Sequence, residues 1–206
     1  MATVLPPVHP PMGMFDQYIT PGGDSLILTE KVFSLSGDSF EVHKNQGGKP
    51  GEAALKIQGK HLTISGRKTV SDMAGNLLFD IVKEHFHILH PTLAAQDESG
   101  KKYLVIKKHR KLIGSEATLT LTSKDGRTDT LKMNGNWRDS CANIIHVESG
   151  ATVARIDRQI LNARELIGGA QTYHLNVAPG VDVALMVAAC VALDELNNEK
   201  KGLISF

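Results

Sequence analysis

The stretch Val183-Ala-Leu-Met-Val-Ala-Ala-Cys-Val-Ala-Leu193 contains eleven consecutive apolar residues, four of them alanine. Alanine, leucine and methionine all favour the helix strongly. Asp182 precedes the stretch and Lys200 and Lys201 follow it, and charges of these signs stabilise the two ends of a helix dipole. The pattern therefore predicts a helix over about residues 181–197.

This predicted helix has no polar stripe, so it either crosses a membrane or is surrounded by protein on every side. Eleven residues rise only about 16 Å, whereas the hydrocarbon core of a bilayer is about 30 Å thick. Acidic residues flank the stretch, and each would cost about 2–3 kcal/mol near mid-membrane. We therefore expect a buried helix whose apolar core positions are Val183, Leu185, Met186, Ala189, Cys190 and Leu193.

The sequence before this helix predicts short strands. Between residues 25 and 177, apolar runs of five to eight residues alternate with turn signals rich in Gly, Asn and Asp, and this is typical of antiparallel hairpins. About a dozen such strands would curl and close, because closure removes the unpaired edges of a sheet. The lumen of a closed barrel is also a place that surrounds a helix on all sides. We therefore predict a mainly β fold, a closed antiparallel barrel of about twelve strands around a central C-terminal helix.

Residues 1–24 have a different composition, with five of the eight prolines of the chain. Because proline lacks a backbone donor and restricts the residue before it, the segment favours extended chain over helix. We expect a flexible, Pro-rich N-terminal arm over 1–24 and a single barrel domain over 25–206.

Charge and cysteine content exclude several protein classes. The 206 residues carry a formal net charge of +1 and 41% hydrophobic residues, which excludes both a highly charged disordered chain and a globally basic nucleic-acid binder. The positive charge is concentrated in residues 67–138, which hold 13 Lys and Arg against 8 Asp and Glu. Cys141 and Cys190 form no Cys-x-x-Cys pair, and no signal peptide precedes the domain, so we expect two free thiols and an intracellular, cytoplasmic protein that can act at membranes peripherally.

Several segments resemble one known family in their order along the chain. They are Ser34–Phe40, Ala74–Phe79, Asp97–Lys101, Gly135–Cys141, and the closing helix from Pro179 through Leu193–Glu195. Together they resemble the LURP-one-related family, which shares its fold with tubby C-terminal domains and phospholipid scramblases. The resemblance covers roughly residues 26–198.

This resemblance implies a twelve-stranded barrel around a hydrophobic helix, in agreement with the burial argument. It implies no catalytic residues and no cofactor. Because tubby domains bind phosphoinositides and scramblases act on membrane lipids, it suggests a binding or scaffold module for anionic headgroups. It also leaves open a scramblase-like protein that translocates lipid, although this chain lacks an acidic calcium segment and a cysteine cluster for acylation.

The strongest candidate for a binding site is a basic cluster of six residues: Lys101, Lys102, Lys107, Lys108, Arg110 and Lys111. Such a cluster attracts anionic lipid headgroups or an acidic protein partner. Arg67 and Lys68 would extend it if their strand lies nearby. Lysines that protect an exposed strand end are the alternative interpretation. Nucleic acid is disfavoured, because only Tyr103 could stack on a base.

Other chemical motifs are weak. His85, His87 and His90 could bring two or three ligands to a metal. The sequence offers no second cluster of ligand residues to complete such a site, and we predict no metal site. No Gly-x-Ser-x-Gly, P-loop or Gly-x-Gly-x-x-Gly motif occurs, so the sequence predicts a protein without catalytic residues. A hydrolase remains the alternative if the fold brings a His, a Ser and a carboxylate together in a cleft. We expect Cys141 to be a small core residue.

Overall fold

The computed structural model describes residues 4–31, 39–59, 67–84, 91–109, 115–136, 141–159 and 171–202. The described chain forms a short 3-10 turn at Asp16–Tyr18, twelve strands and one helix. The strands are β1 (Asp24–Lys31), β2 (Ser39–Gln46), β3 (Lys49–Gly59), β4 (Lys68–Ser71), β5 (Leu77–Glu84), β6 (Thr92–Gln96), β7 (Lys102–His109), β8 (Ser115–Thr122), β9 (Thr128–Asn136), β10 (Cys141–His146), β11 (Thr152–Gln159) and β12 (Thr172–Val177), and the helix is α1 (Val183–Gly202).

The twelve strands form one closed antiparallel barrel. Each strand pairs with its neighbours in the chain, and β1 closes the ring by pairing with β12, for example Leu26 opposite Leu175. The predicted β-barrel is confirmed. Closure leaves no unpaired edge, so the sheet presents no template for adding a further strand.

Helix α1 fills the lumen of this barrel. Every residue from Val183 to Leu193 is buried, with at most 3% of its surface exposed. The inward residues of the strands, such as Leu28, Phe79, Leu104 and Tyr173, pack around it in one continuous core. The predicted buried helix is therefore confirmed, although it begins at Val183 and ends at Gly202 rather than near residue 197.

The N-terminal arm is packed against one end of the barrel, which corrects the prediction of a flexible segment over 1–24. In the described part, from Val4 onward, Leu5, Val8 and Met12 are buried in the same core as the helix. The backbone N–H of Val8 donates to the Pro179 carbonyl at 2.9 Å, and that of Met12 donates to the Gly180 carbonyl at 2.9 Å. Extended chain supplies these donors between the prolines, and apolar side chains in that chain cover the open end of the barrel.

Asp182 joins the arm to the beginning of α1. One carboxylate oxygen, Oδ1, accepts from the N–H of Leu185 at 3.2 Å as an N-cap. The other, Oδ2, accepts from the N–H groups of Met14 and Phe15 at 3.0 and 2.9 Å. Gly13 lies against this side chain, with a φ of +144° and a position where any Cβ would come within 2.2 Å of the Asp182 Cβ. A side chain at position 13 would therefore displace the arm.

The filled lumen generates a stability prediction. Ala188→Asp or Ala189→Asp places a carboxylate at a fully buried position, and an unpaired buried charge costs several kcal/mol. We expect either variant to lose about 3–5 kcal/mol of unfolding free energy in urea. Ala74→Asp, in an exposed turn, is the matched control and should unfold like the parent; an Ala188→Asp protein as stable as this control would contradict the buried helix.

The Asp182 contact generates a pH prediction. Burial raises the pKa of Asp182 from 3.8 to about 6. The hydrogen bonds that the carboxylate accepts from backbone N–H groups lower the pKa, but by less than burial raises it. Between these two values the folded state holds a proton that the unfolded state has lost, so this carboxyl stabilises the fold increasingly as the pH falls from 6 to 4. The gain approaches about 3 kcal/mol.

The measurement is urea unfolding of the parent and of Asp182→Asn at pH 7 and at pH 4.5. Asn cannot titrate, so effects of the other carboxyl groups cancel in the comparison. The stability advantage of the parent should be larger at pH 4.5. An advantage that shrinks on acidification would mean that Asp182 is ionised in the folded protein at both values.

Candidate functional site

The predicted basic cluster is divided between the two faces of β7. Side chains alternate along a strand, and in β7 the inward set includes Leu104, Ile106 and Lys108, while Lys107 is exposed on the outside. Lys107 lies opposite Thr118 of β8, and Thr118 lies opposite Lys132 of β9, so these side chains share the outer surface. Adjacent lysines in the sequence thus face opposite environments.

Lys108 does not lie on the binding surface that the sequence predicts. Its side chain is buried, 6% exposed, and its Nζ donates to the carbonyl oxygen of Leu196 in α1 at 2.7 Å. Lys68 is placed in the same way, with Nζ 2.7 Å from Oε2 of Glu195. Both lysines therefore hold the C-terminal part of the helix inside the barrel, with their stems packed in the core and their charged groups paired.

Lys102 begins β7 and Lys101 precedes it, so the two lie about 16–20 Å from Lys107 along the strand. Lys102 forms an ion pair with Glu84. The Lys101 Nζ lies over the ring of Tyr103, 6.0 Å from its centroid. Arg110 and Lys111 lie outside the described residues. The four described residues, Lys101, Lys102, Lys107 and Lys108, therefore do not form one patch, and the role of the predicted cluster in headgroup binding stays a prediction.

Other cations share the outer face with Lys107. Lys132 pairs with Glu116 at 2.8 Å, and Nη1 of Arg67 lies 3.3 Å from Asp80. Arg67 is thus on the outside as proposed for an extended patch, whereas Lys68 is inside. Since each of these exposed cations already has a carboxylate partner, most of the positive charge is balanced locally.

A serine, a histidine and a carboxylate come together at the end of the barrel against which the N-terminal arm packs. Nδ1 of His146 lies 2.8 Å from Oγ of Ser149, and its Nε2 lies 3.4 Å from Oδ1 of Asp129. Nothing in the spacing of these residues indicated this chain of contacts. However, Ser149 Oγ also accepts from the N–H of Ala151 at 3.3 Å, and the N–H of Gly150 donates to the His146 carbonyl. The neighbouring N–H groups are thus used within the turn and do not form an oxyanion hole.

Cys141 is half-buried on the outer face, not in the core as predicted. It lies opposite Asp157, which lies opposite His174. Burial and a hydrogen bond to Asp157 raise the pKa of the Cys141 thiol, so the thiolate is disfavoured at neutral pH. Burial lowers the pKa of His174. Because Asp157 separates the thiol from the imidazole, the three groups do not form a Cys–His pair that would activate a nucleophile.

Within the described ranges, no three His, Cys, Asp or Glu side chains come close enough to hold a metal ion. His85, His87 and His90, the candidate ligands that the sequence analysis considered, lie outside those ranges. Both cysteines are free thiols, as predicted.

The comparisons with known proteins agree with this architecture. The model of the LURP-one-related family matches residues 24–194. A search of curated proteins gave no match. A crystal structure of a protein from Arabidopsis thaliana has a similar fold, with a TM-score of 0.57 and 18% sequence identity over 88% of this chain and 95% of the other. The family match covers most of the barrel and the buried part of its helix, and the chain belongs to the LURP-one-related family.

Proposed function

We propose that this protein is a non-enzymatic binding or scaffold module whose ligand contacts the outside of the barrel. The observation that carries the proposal is the filled lumen. Val183–Leu193 occupy the space in which many barrels hold a small ligand, and none of them exposes more than 3% of its surface. A ligand must then bind at the outer face or at an end of the barrel.

The chemistry that fits best at the outer face is an anionic phospholipid headgroup. Lys107 is exposed and forms no ion pair with another described residue. Lys102, Lys132 and Arg67 keep 43–46% of their side chains exposed beside their carboxylate partners. Each lysine or arginine near a charged membrane contributes about 1 kcal/mol. The family resemblance to lipid-binding barrels supports the same chemistry by analogy. An acidic protein would use the same cations, and we infer an intracellular, peripheral location.

A scramblase-like role that required α1 to leave the barrel would have to break several buried contacts. Tyr173 donates to Asp194, Lys68 pairs with Glu195, and Lys108 donates to the Leu196 carbonyl. Each would leave a buried polar or charged group without its partner, at about 1–3 kcal/mol or more. Among the described residues, no helix combines the length and the apolar character that crossing a bilayer requires.

Vesicle flotation tests the headgroup proposal. The parent should bind vesicles that contain phosphoinositides and not neutral ones, and binding should weaken as salt rises. Lys107→Glu should weaken binding about tenfold, because it replaces an attraction by a repulsion. Lys49→Glu, at an exposed site at the other end of the barrel, makes the same charge change and should bind like the parent.

Lys108→Met separates stability from binding in the same assay. It removes the hydrogen bond to Leu196 and should lower the unfolding free energy by about 1–3 kcal/mol, with vesicle binding unchanged at temperatures where it is folded. A parent that does not bind phosphoinositide vesicles at low salt would end the headgroup proposal.

The hydrolase alternative rests on Ser149, His146 and Asp129. It is disfavoured because the N–H groups of Gly150 and Ala151 next to Ser149 already donate within the turn. With p-nitrophenyl acetate, we expect the parent and Ser149→Ala to hydrolyse the ester at the same rate. Turnover by the parent that disappears in both Ser149→Ala and His146→Ala would show that the three residues are catalytic and would overturn the non-enzymatic proposal.

A further inference from the structure

A surface cleft lies between two turns at the end of the barrel that the N-terminal arm covers. Its volume is about 470 Å³ and its lining residues come from the beginning of β5 and from the turn between β6 and β7: Leu77, Leu78, Asp97, Glu98, Ser99 and Tyr103. No residue of this cleft except Tyr103 lies in β7, and Lys107 is far from it. The cleft is therefore separate from Lys107, the residue that the vesicle assay tests, although Lys102 next to Tyr103 is among the cations proposed for headgroups.

One wall of the cleft is the ring of Tyr103, which packs against other rings on its buried side and leaves 9% of the residue exposed. Phe15 from the arm packs edge-on against Tyr103, with 5.6 Å between ring centroids, and its centroid is 5.7 Å from that of Phe79. The Tyr103 hydroxyl donates to Oδ2 of Asp97 at 2.8 Å. This bond fixes the ring and places a negative charge beside it, and both favour a cation near the ring.

The rim of the cleft carries two carboxylates, one held by hydrogen bonds within the turn and one exposed to solvent. Asp97 accepts from Ser99, Lys101 and Tyr103 and thereby holds the turn together. These hydrogen bonds lower the pKa of Asp97 to about 2, so it is ionised at neutral pH. Glu98 is exposed and has no ion-pair partner among the described residues. The rim thus offers one fixed negative charge and one that is accessible to a partner.

Apolar side chains continue from the cleft along the adjacent hairpin. Leu77 is 42% exposed and Met73 is 46% exposed, two of the four large hydrophobic side chains that the described chain exposes. An apolar floor beside a negative rim is complementary to a segment that presents a cation next to an apolar residue. Lys101 already places its Nζ over the Tyr103 ring, so the chain itself shows which kind of side chain this wall accepts.

We propose that this cleft binds a segment of a partner protein in which a lysine or arginine lies beside a leucine-like residue. The cation approaches Tyr103 and Glu98, and the apolar residue packs on Leu77 and Leu78. Lys101 competes for the same aromatic face. The proposal rests on Leu77, Leu78, Glu98 and Tyr103, none of which the headgroup proposal needs. Lys101 and Lys102, which the sequence predicts to bind headgroups, lie beside the cleft.

The probe is a blocked synthetic hexapeptide, Ala-Leu-Arg-Leu-Lys-Ala, added to the full-length protein labelled with nitrogen-15. We expect amide shifts to concentrate at Leu77, Leu78, Ser99 and Tyr103, with weaker binding at higher salt. Glu98→Lys should weaken binding about tenfold. Glu148→Lys, in another exposed turn at the same end of the barrel, is the control of equal charge and should bind like the parent.

Lys101→Ala distinguishes the two proposals best, because it removes the ammonium group that lies over the Tyr103 ring. It should tighten peptide binding a few-fold, whereas a headgroup role for Lys101 predicts weaker vesicle binding in the same variant. Shifts that spread over other surfaces, equal binding of a peptide with Glu in place of Arg and Lys, or saturation by choline alone at the same residues would each overturn the proposal. Failure here leaves the vesicle assay unaffected.

Discussion

The structure depends on one constraint, which is that a helix apolar on every face must be surrounded by protein. The eleven residues of Val183–Leu193 have no side that can face water, and a closed barrel gives them an apolar wall in all directions. The alanines allow the helix to fit a lumen that the strand side chains otherwise fill. In return, the helix fills the barrel, and the twelve strands gain a core that their inward side chains alone could not complete.

The two ends of the helix are held by polar contacts of different kinds. At its beginning, Asp182 accepts from the helix and from the arm, so the N-terminal residues become part of the barrel. Near Leu196, buried Lys68 and Lys108 bind acceptors on the helix. Helix α1 fills the interior, so the binding role that we propose requires the outer surface of the barrel. Exposed cations with carboxylate partners lie on the outer face, and the aromatic cleft beside Tyr103 lies at the end that the arm covers.

Much of the fold could be predicted from the sequence, because local residue patterns indicate the helix and the strands. The arrangement of the candidate binding residues could not be predicted in this way. Six cations within eleven residues looked like one patch, but the two-residue period of β7 turns Lys108 inward beside exposed Lys107. The prolines of the arm predict loose extended chain, whereas the apolar residues between them decide its packing. The contacts of Ser149 with His146 and Asp129, and the aromatic wall at Tyr103, join elements that only the folded barrel brings together.

Native-state hydrogen exchange of the α1 amides, followed against urea, tests the central claim most directly. If the helix is locked in the lumen, the amides of Met186–Leu193 exchange only when the whole barrel unfolds, with an opening free energy equal to that of global unfolding. Opening of these amides at a clearly lower free energy and with little dependence on urea, while the strand amides stay protected, would show that the helix leaves an intact barrel and would contradict the account.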